Sequence, residues 1–180
     1  MKKIVILALM VLLASVEVSA SVSIGIHGQY FSPADADFKS IYGGGLMGGG
    51  EISLAIAKSL DLWLDGAYFA KAGNLSYTGE STELTLIPIG VGLKYRVLSG
   101  KISPYVGAGA KYFVYRERNS LGEVTAGGFG FVGKIGLAIS VSNHFGFDIL
   151  AGYSSCKMKP ADFEFNVGGL EFGAGLIISL

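Results

Sequence analysis

Two long runs of strict alternation, joined by a tight turn, constrain this chain more than anything else in it. From Glu83 to Arg116 the sequence reads ELTLIPIGVGLKYRVLSGKISPYVGAGAKYFVYR. In the first run Thr85, Ile87, Ile89, Val91, Leu93, Tyr95 and Val97 share one face, against Pro88, Gly90, Gly92, Lys94 and Arg96. A period of two is the period of a strand. In the second run Ile102, Pro104, Val106, Ala108, Ala110, Tyr112 and Val114 lie opposite Ser103, Tyr105, Gly107, Gly109, Lys111, Phe113 and Tyr115. Leu98-Ser99-Gly100-Lys101 between them predicts a hairpin turn. One face of each strand is unbroken aliphatic and the other is glycine, lysine and polar aromatic, which suits lipid outside and a cramped polar interior.

The start of the chain says how such a strand pair reaches a membrane. Met1 to Ala20 carries Lys2 and Lys3, an apolar run from Ile4 to Ala14, and small residues before a cleavage point after Ala20. This pattern is that of a secretory signal peptide, and the apolar run is too short for a spanning helix. Ser21 to Leu180 is then one domain. Mean hydropathy is positive, yet no later apolar run has the length of a spanning helix. A closed β-barrel is the other way for an exported chain to satisfy its backbone in lipid.

The same alternation recurs along the chain. Strands are expected over Ser21–Phe31, Gly44–Ala57, Asp61–Lys71, the two central runs, Gly127–Val141, a run from His144 to Ser154, and Leu170–Leu180. Ser32–Tyr42 and Ala72–Thr82 are expected as polar loops, Glu117–Thr125 as a charged, turn-rich connection, and Lys157–Asp162 as the last loop. Near Gly168-Gly169 the phase slips, which predicts a bulge. The count is eight, and short turns alternate with longer loops, the layout of an all-β, eight-stranded antiparallel up-and-down transmembrane β-barrel. Tyr30, Tyr68, Tyr112, Phe129, Phe131 and Tyr153 fall towards the long loops and Tyr95, Phe145 and Phe147 towards the short turns, as two aromatic girdles.

IPIGVGLKYR followed by SPYVGAGAKYFVYRE resembles the central hairpin of the small outer-membrane β-barrel domains that include OmpA, OmpX and OmpW-type proteins. The resemblance implies an eight-stranded barrel in the bacterial outer membrane, held in lipid and lipopolysaccharide and inserted by the barrel assembly machinery. Such barrels commonly end in Phe, whereas Leu180 ends this sequence.

Functional candidates follow from which side chains turn inward. His27, Glu51, Asp65, Lys94, Arg96, Lys111, Lys134, Asp148 and Glu171 all fall on the inner face, where an unpaired charge costs several kcal/mol. They are therefore expected to form an ion network across the lumen. A selectivity ring is the competing reading, but eight strands leave an interior that side chains fill. Gly90, Gly92, Gly107, Gly109 and Gly136 make room for those side chains.

Other chemistry finds little support. A lipocalin-like carrier would have its polarity the other way round. A lipid-modifying enzyme would rely on His27 or His144, and neither has a matched serine and acid at recognisable spacing. Gly43–Gly50, GGGLMGGG, lacks the GK[ST] of a phosphate loop. Asp35, Asp37 and Glu80 are read as solvated loop acids rather than cation ligands, and Asn74-Leu75-Ser76 as an incidental match to a glycosylation acceptor. The single Cys156 forms no internal disulfide. Removing Lys2, Lys3 and Glu17 leaves 12 basic and 13 acidic residues, so there is no basic field for nucleic acid. No cofactor is expected. The function implied is an integral barrel with a filled lumen, acting in membrane integrity or through its surface loops; the alternatives are a narrow OmpW-like conduit for small hydrophobic or ionic solutes and, third, the enzyme.

Overall fold

Alternation of lipid-facing aliphatics with inward polar and small residues produces strands that pair only with sequence neighbours, until the first meets the last. The computed structural model describes residues 21–74, 81–120, 122–159 and 164–180. The expected signal peptide, Glu80, Leu75, Ser76 and Asp162 lie outside the described residues. Eight strands close the barrel: β1 (Val22–Pro33), β2 (Gly45–Ala57), β3 (Leu60–Asn74), β4 (Ser81–Arg96), β5 (Ile102–Asn119), β6 (Gly122–Ser140), β7 (Phe145–Ser155) and β10 (Gly169–Ser179). Every neighbouring pair is antiparallel, and β1 joins β10 from Ser23↔Ser179 to Pro33↔Gly169. The expected faces hold throughout. Ile26 is 70% exposed, whereas Trp63 and Phe69 are fully buried.

Three expectations are corrected. Ser32–Tyr42 is not only loop, because it contains a short helix, α1 (Ala36–Tyr42). Asp35 caps it, its Oδ1 accepting from the Asp37 and Phe38 N–H groups at 3.1 Å each, which satisfies orphan donors of the first turn. At the other end Gly43 has φ 62° and donates its N–H to the Lys39 carbonyl, a backbone shape that glycine adopts without strain. Secondly, Glu117–Thr125 continues the hairpin, with β5 and β6 paired without a break from Ile102↔Ile139 to Asn119↔Gly122. Outside the lipid a strand needs no apolar face, so charge there does not signal a loop. Thirdly, the slip near Gly168-Gly169 is not a bulge. Phe165–Asn166 (β9) pairs with Lys157–Met158 (β8) in a separate two-stranded sheet, and the chain re-enters the barrel at Gly169. The register shift lies instead between Ala55 and Ala57, at the short-turn end of β2.

The walls differ in height. β5 and β6 have 18 and 19 residues, against 11 in β7 and 11 in β10. The long-connection end is extracellular in barrels of this layout, so a four-stranded sheet of β3 to β6 rises above the rest of the rim. In the hollow behind it sit α1 and the β8–β9 pair.

Candidate functional site

The interior is layered, and each layer follows from what the strands turn inward. Nearest the long connections lies an apolar cluster that includes Phe31, Met47, Phe69, Leu84, Leu86 and Phe113, closed from above by Phe38 and Tyr42 of α1 and by Met158 and Val167. Phe31 meets Phe69 edge-on at 5.2 Å, and Phe38 stacks on Phe165 of β9 at 6.1 Å. The expected polar interior is therefore corrected for this half of the barrel, which is filled by aromatic and aliphatic side chains. A polar tie fastens the cap to the tall wall: Tyr42 and Thr82 share a hydrogen bond of 3.2 Å, and Thr82 donates to Glu117 Oε1 at 3.0 Å. Asp35 adds a second tie through Oδ2, which accepts from the Asn166 N–H at 3.3 Å.

Beneath the apolar layer lies the charged one. Glu51 is its centre, with Lys94 on Oε1 and Lys134 on Oε2. The Lys134 ammonium also lies 4.0 Å from Asp65 and 3.7 Å from the centre of the Trp63 ring, so it is bound by charge and by the indole face together. Lys111 reaches both oxygens of Glu171 at 2.9 and 3.0 Å, and Ser154 donates to the same carboxylate at 3.0 Å. Asp148 accepts from the Tyr105 hydroxyl at 2.9 Å, and Arg96 pairs with Asp61 at 2.9 Å. His27 is buried on the same wall and lines a cavity of about 20 Å³ with Glu51, Lys94 and Asp148.

All nine residues expected in the lumen thus turn inward, although they divide into separate groups rather than one continuous network. Trp63, Tyr105, Ser53 and Ser154 are partners that charge alone did not reveal, and Asp61 is a charged partner outside the expected set. Their signal was parity, since each shares the inward phase of its strand. Trp63 is the bulk of the plug, and glycines make its bay. A methyl group placed at Gly92 would lie 2.6 Å from the indole Cζ2, one at Gly109 2.8 Å from it, and one at Gly90 2.9 Å from Cζ3. At Gly136 the same methyl group would strike the Tyr105 ring at 2.5 Å.

Towards the short turns the lumen opens into a vestibule of about 160 Å³, lined by Ser23, Ser53, Ser103, Asp61, Arg96 and Tyr105 among others. His144 is exposed beside the turn before β7, away from the charged layer. Asp35 is used as a helix cap and Asp37 is exposed in α1. Among the described residues no three His, Cys, Asp or Glu side chains are grouped to hold a metal, and no helix is long and apolar enough to cross a membrane.

Residues 5–176 match the family model described as outer membrane protein beta-barrel domain. The chain belongs to this family. It is an outer-membrane protein, and the resemblance read from its central hairpin holds. Among solved structures it is similar to OprG of Pseudomonas aeruginosa, with 14% identity, a TM-score of 0.69, and coverage of 89% of this chain and 96% of that one. The N-terminal β-barrel domain of P. aeruginosa OprF is 15% identical with a TM-score of 0.59, covering 89% and 97%. Outer Membrane Protein W of E. coli is 14% identical with a TM-score of 0.57, covering 89% and 98%. At these identities the likeness is one of fold. None of the curated proteins matches.

Proposed function

We propose that this outer-membrane barrel is closed along its axis and non-enzymatic, and that it works through contacts made at its extracellular end. The observation that carries this reading is the double seal. An apolar layer lies under α1 and the β8–β9 pair, and a second layer follows in which Trp63, Lys134 and Glu51 fill the lumen. The vestibule at the short-turn end of about 160 Å³ stops below that second layer. Lipid and lipopolysaccharide surround the aliphatic belt, and the barrel assembly machinery inserts it.

The same geometry argues against catalysis on lipid. The cavity beside His27, about 20 Å³, has room for a single water. No acyl chain could enter it.

Conductance decides between the closed barrel and a conduit. The mature chain, refolded and reconstituted in a planar bilayer, is expected to give no stable unitary current. Reproducible unitary currents from the folded protein would overturn the closed-barrel reading and establish the conduit.

A further inference from the structure

The short-turn end of the barrel holds more hydrogen-bonding capacity than the protein uses. Polar groups screened from bulk water normally have partners, so surplus donors gathered around one cavity point to a molecule that fills it. The vestibule of about 160 Å³ is such a place.

One wall is a row of hydroxyls. Ser179 of β10 stands directly opposite Ser23 of β1, and Ser23 directly opposite Ser53 of β2. All of them line the vestibule. Cross-strand neighbours have Cβ atoms about 4.5–5.5 Å apart, so the hydroxyls make a ladder over adjacent strands, close to the spacing of alternate hydroxyls on a sugar ring. Ser53 is engaged, donating to Glu51 at 2.7 Å and accepting from Lys94 at 3.3 Å. Neither Ser23 nor Ser179 uses its hydroxyl on any described residue.

The facing wall is cationic. In the ring of strands β10, β1 and β2 stand across from β4, β5 and β6, and β4 brings Arg96 to the cavity. The Arg96 Nη2 donates to Asp61 at 2.9 Å and to the Lys58 carbonyl at 3.3 Å. The Nη1 hydrogens have no acceptor among the described residues, and the Nε–H is buried without one. Asp61, the one acid lining the vestibule among the described residues, is engaged in this pair. The described side chains at the short-turn end include Lys58, Arg96 and Lys101 against Asp61, a balance that favours an anion there. Ile177 and Ala138 also line the cavity and offer apolar surface to a carbon skeleton.

These two walls together fit one class of molecule. A simple inorganic anion would use Arg96 and leave the hydroxyl row idle, whereas a neutral sugar would use the row and leave the guanidinium idle. The cavity is smaller than the roughly 300–1,000 Å³ of sites for drug-sized ligands, which suits a single ring. The geometry points to a binding site in the vestibule for a small polyhydroxylated anion of the sugar-acid class, its carboxylate on Arg96 and its ring hydroxyls on Ser23, Ser53 and Ser179. The ligand enters from the periplasm, the side that short turns face in barrels of this layout. The site lies at the opposite end from the proposed surface contacts and does not depend on them.

The test uses the full mature chain in lipid nanodiscs, which leave both ends of the barrel open to solvent, and follows backbone amides by two-dimensional NMR. Glucuronate, glucose and acetate are titrated separately. Glucuronate is expected to give saturable shifts at Ser23, Ser53, Arg96 and Ser103. Glucose, which lacks the carboxylate, and acetate, which lacks the hydroxyls, should each bind at least about tenfold more weakly. Arg96→Gln should weaken glucuronate by about tenfold or more, and Ser23→Ala combined with Ser179→Ala by about threefold or more. The serine variant removes hydroxyls that hold nothing in the protein, so it should keep the wild-type heat-modifiable gel shift while losing affinity. The proposal is overturned if glucuronate gives no saturable shift, if glucose or acetate binds as tightly, or if either variant binds glucuronate like the wild type. Conductance enters none of these readouts, so a current through the barrel would remove the closed-barrel reading and leave the vestibule site to its own result.

Discussion

Lys134 holds three groups at once, the carboxylates of Glu51 and Asp65 and the face of Trp63. In water such contacts are worth little, but here Lys134 is 8% exposed and the two carboxylates beside it are largely buried as well. Lys134→Leu keeps much of the volume and deletes the charge, removing the ion pair of Asp65 and leaving Glu51 with Lys94 and the Ser53 hydroxyl. Breaking a buried pair in this way costs about 3–5 kcal/mol. The expected outcome is a folded barrel whose heat-modifiable gel shift occurs at lower temperature than in the wild type. An unchanged transition would mean that the lysine contributes nothing to the plug. The inward position of Lys134 was legible from parity alone. Its seat on Trp63 was not, because parity fixes the face of a residue but not which residues meet across a lumen.

At the scale of elements, α1 is the part the sequence reading missed, although its signals were present. Asp35 stands one residue before the helix, and Phe38, Ile41 and Tyr42 are spaced three and four apart, the spacing of one helical face. Seven residues among polar neighbours are too few for periodicity to stand out. What holds the helix down is tertiary, namely the Tyr42–Thr82 bond and the stacking of Phe38 on Phe165 of β9. Burial pushes the Tyr42 hydroxyl up to about 12, above the ordinary tyrosine value of about 10. The unfolded chain therefore loses this proton first as pH rises. The stability contributed by the neutral hydroxyl is complete below about pH 10 and is lost between about 10 and 12. In urea unfolding, the stability difference between wild type and Tyr42→Phe should be constant below that window and move against the wild type within it. A difference that stays constant through pH 12 would refute the buried, neutral hydroxyl. The β5–β6 extension was missed for the opposite reason. Glu117, Arg118 and Glu123 look like loop charges when the lipid band is the only template for a strand.

For the whole molecule, the two seals act in series. Trp63→Ala empties the centre of the charged layer, and truncating a large buried aromatic costs about 3–5 kcal/mol. The apolar layer above it, from Phe31 and Phe69 to the α1 cap, is untouched. The variant is therefore expected to fold with a lowered gel transition and still to pass no current in a planar bilayer. Unitary currents from Trp63→Ala alone would show that the indole is the sole barrier. The eight-strand count, the order of pairing and the lipid-facing belt were all readable from alternation, since each strand meets its sequence neighbour and the barrel closes by itself. The apolar upper chamber was also written in the inward phase, at Met47, Phe69, Leu84 and Leu86, but an expectation of polar lumens obscured it.

The uneven rim gives the barrel a bearing. β3 to β6 stand tall on one side while β1, β2, β7 and β10 end low, so whatever touches the raised wall pulls off the central axis. A copy free to spin in the plane of the membrane offers that wall to a given direction for only part of each turn. Neighbours packed against the low side would stop the rotation and point the wall outward from the cluster. Lateral crowding would then govern which way the molecule faces, with no change in its conformation.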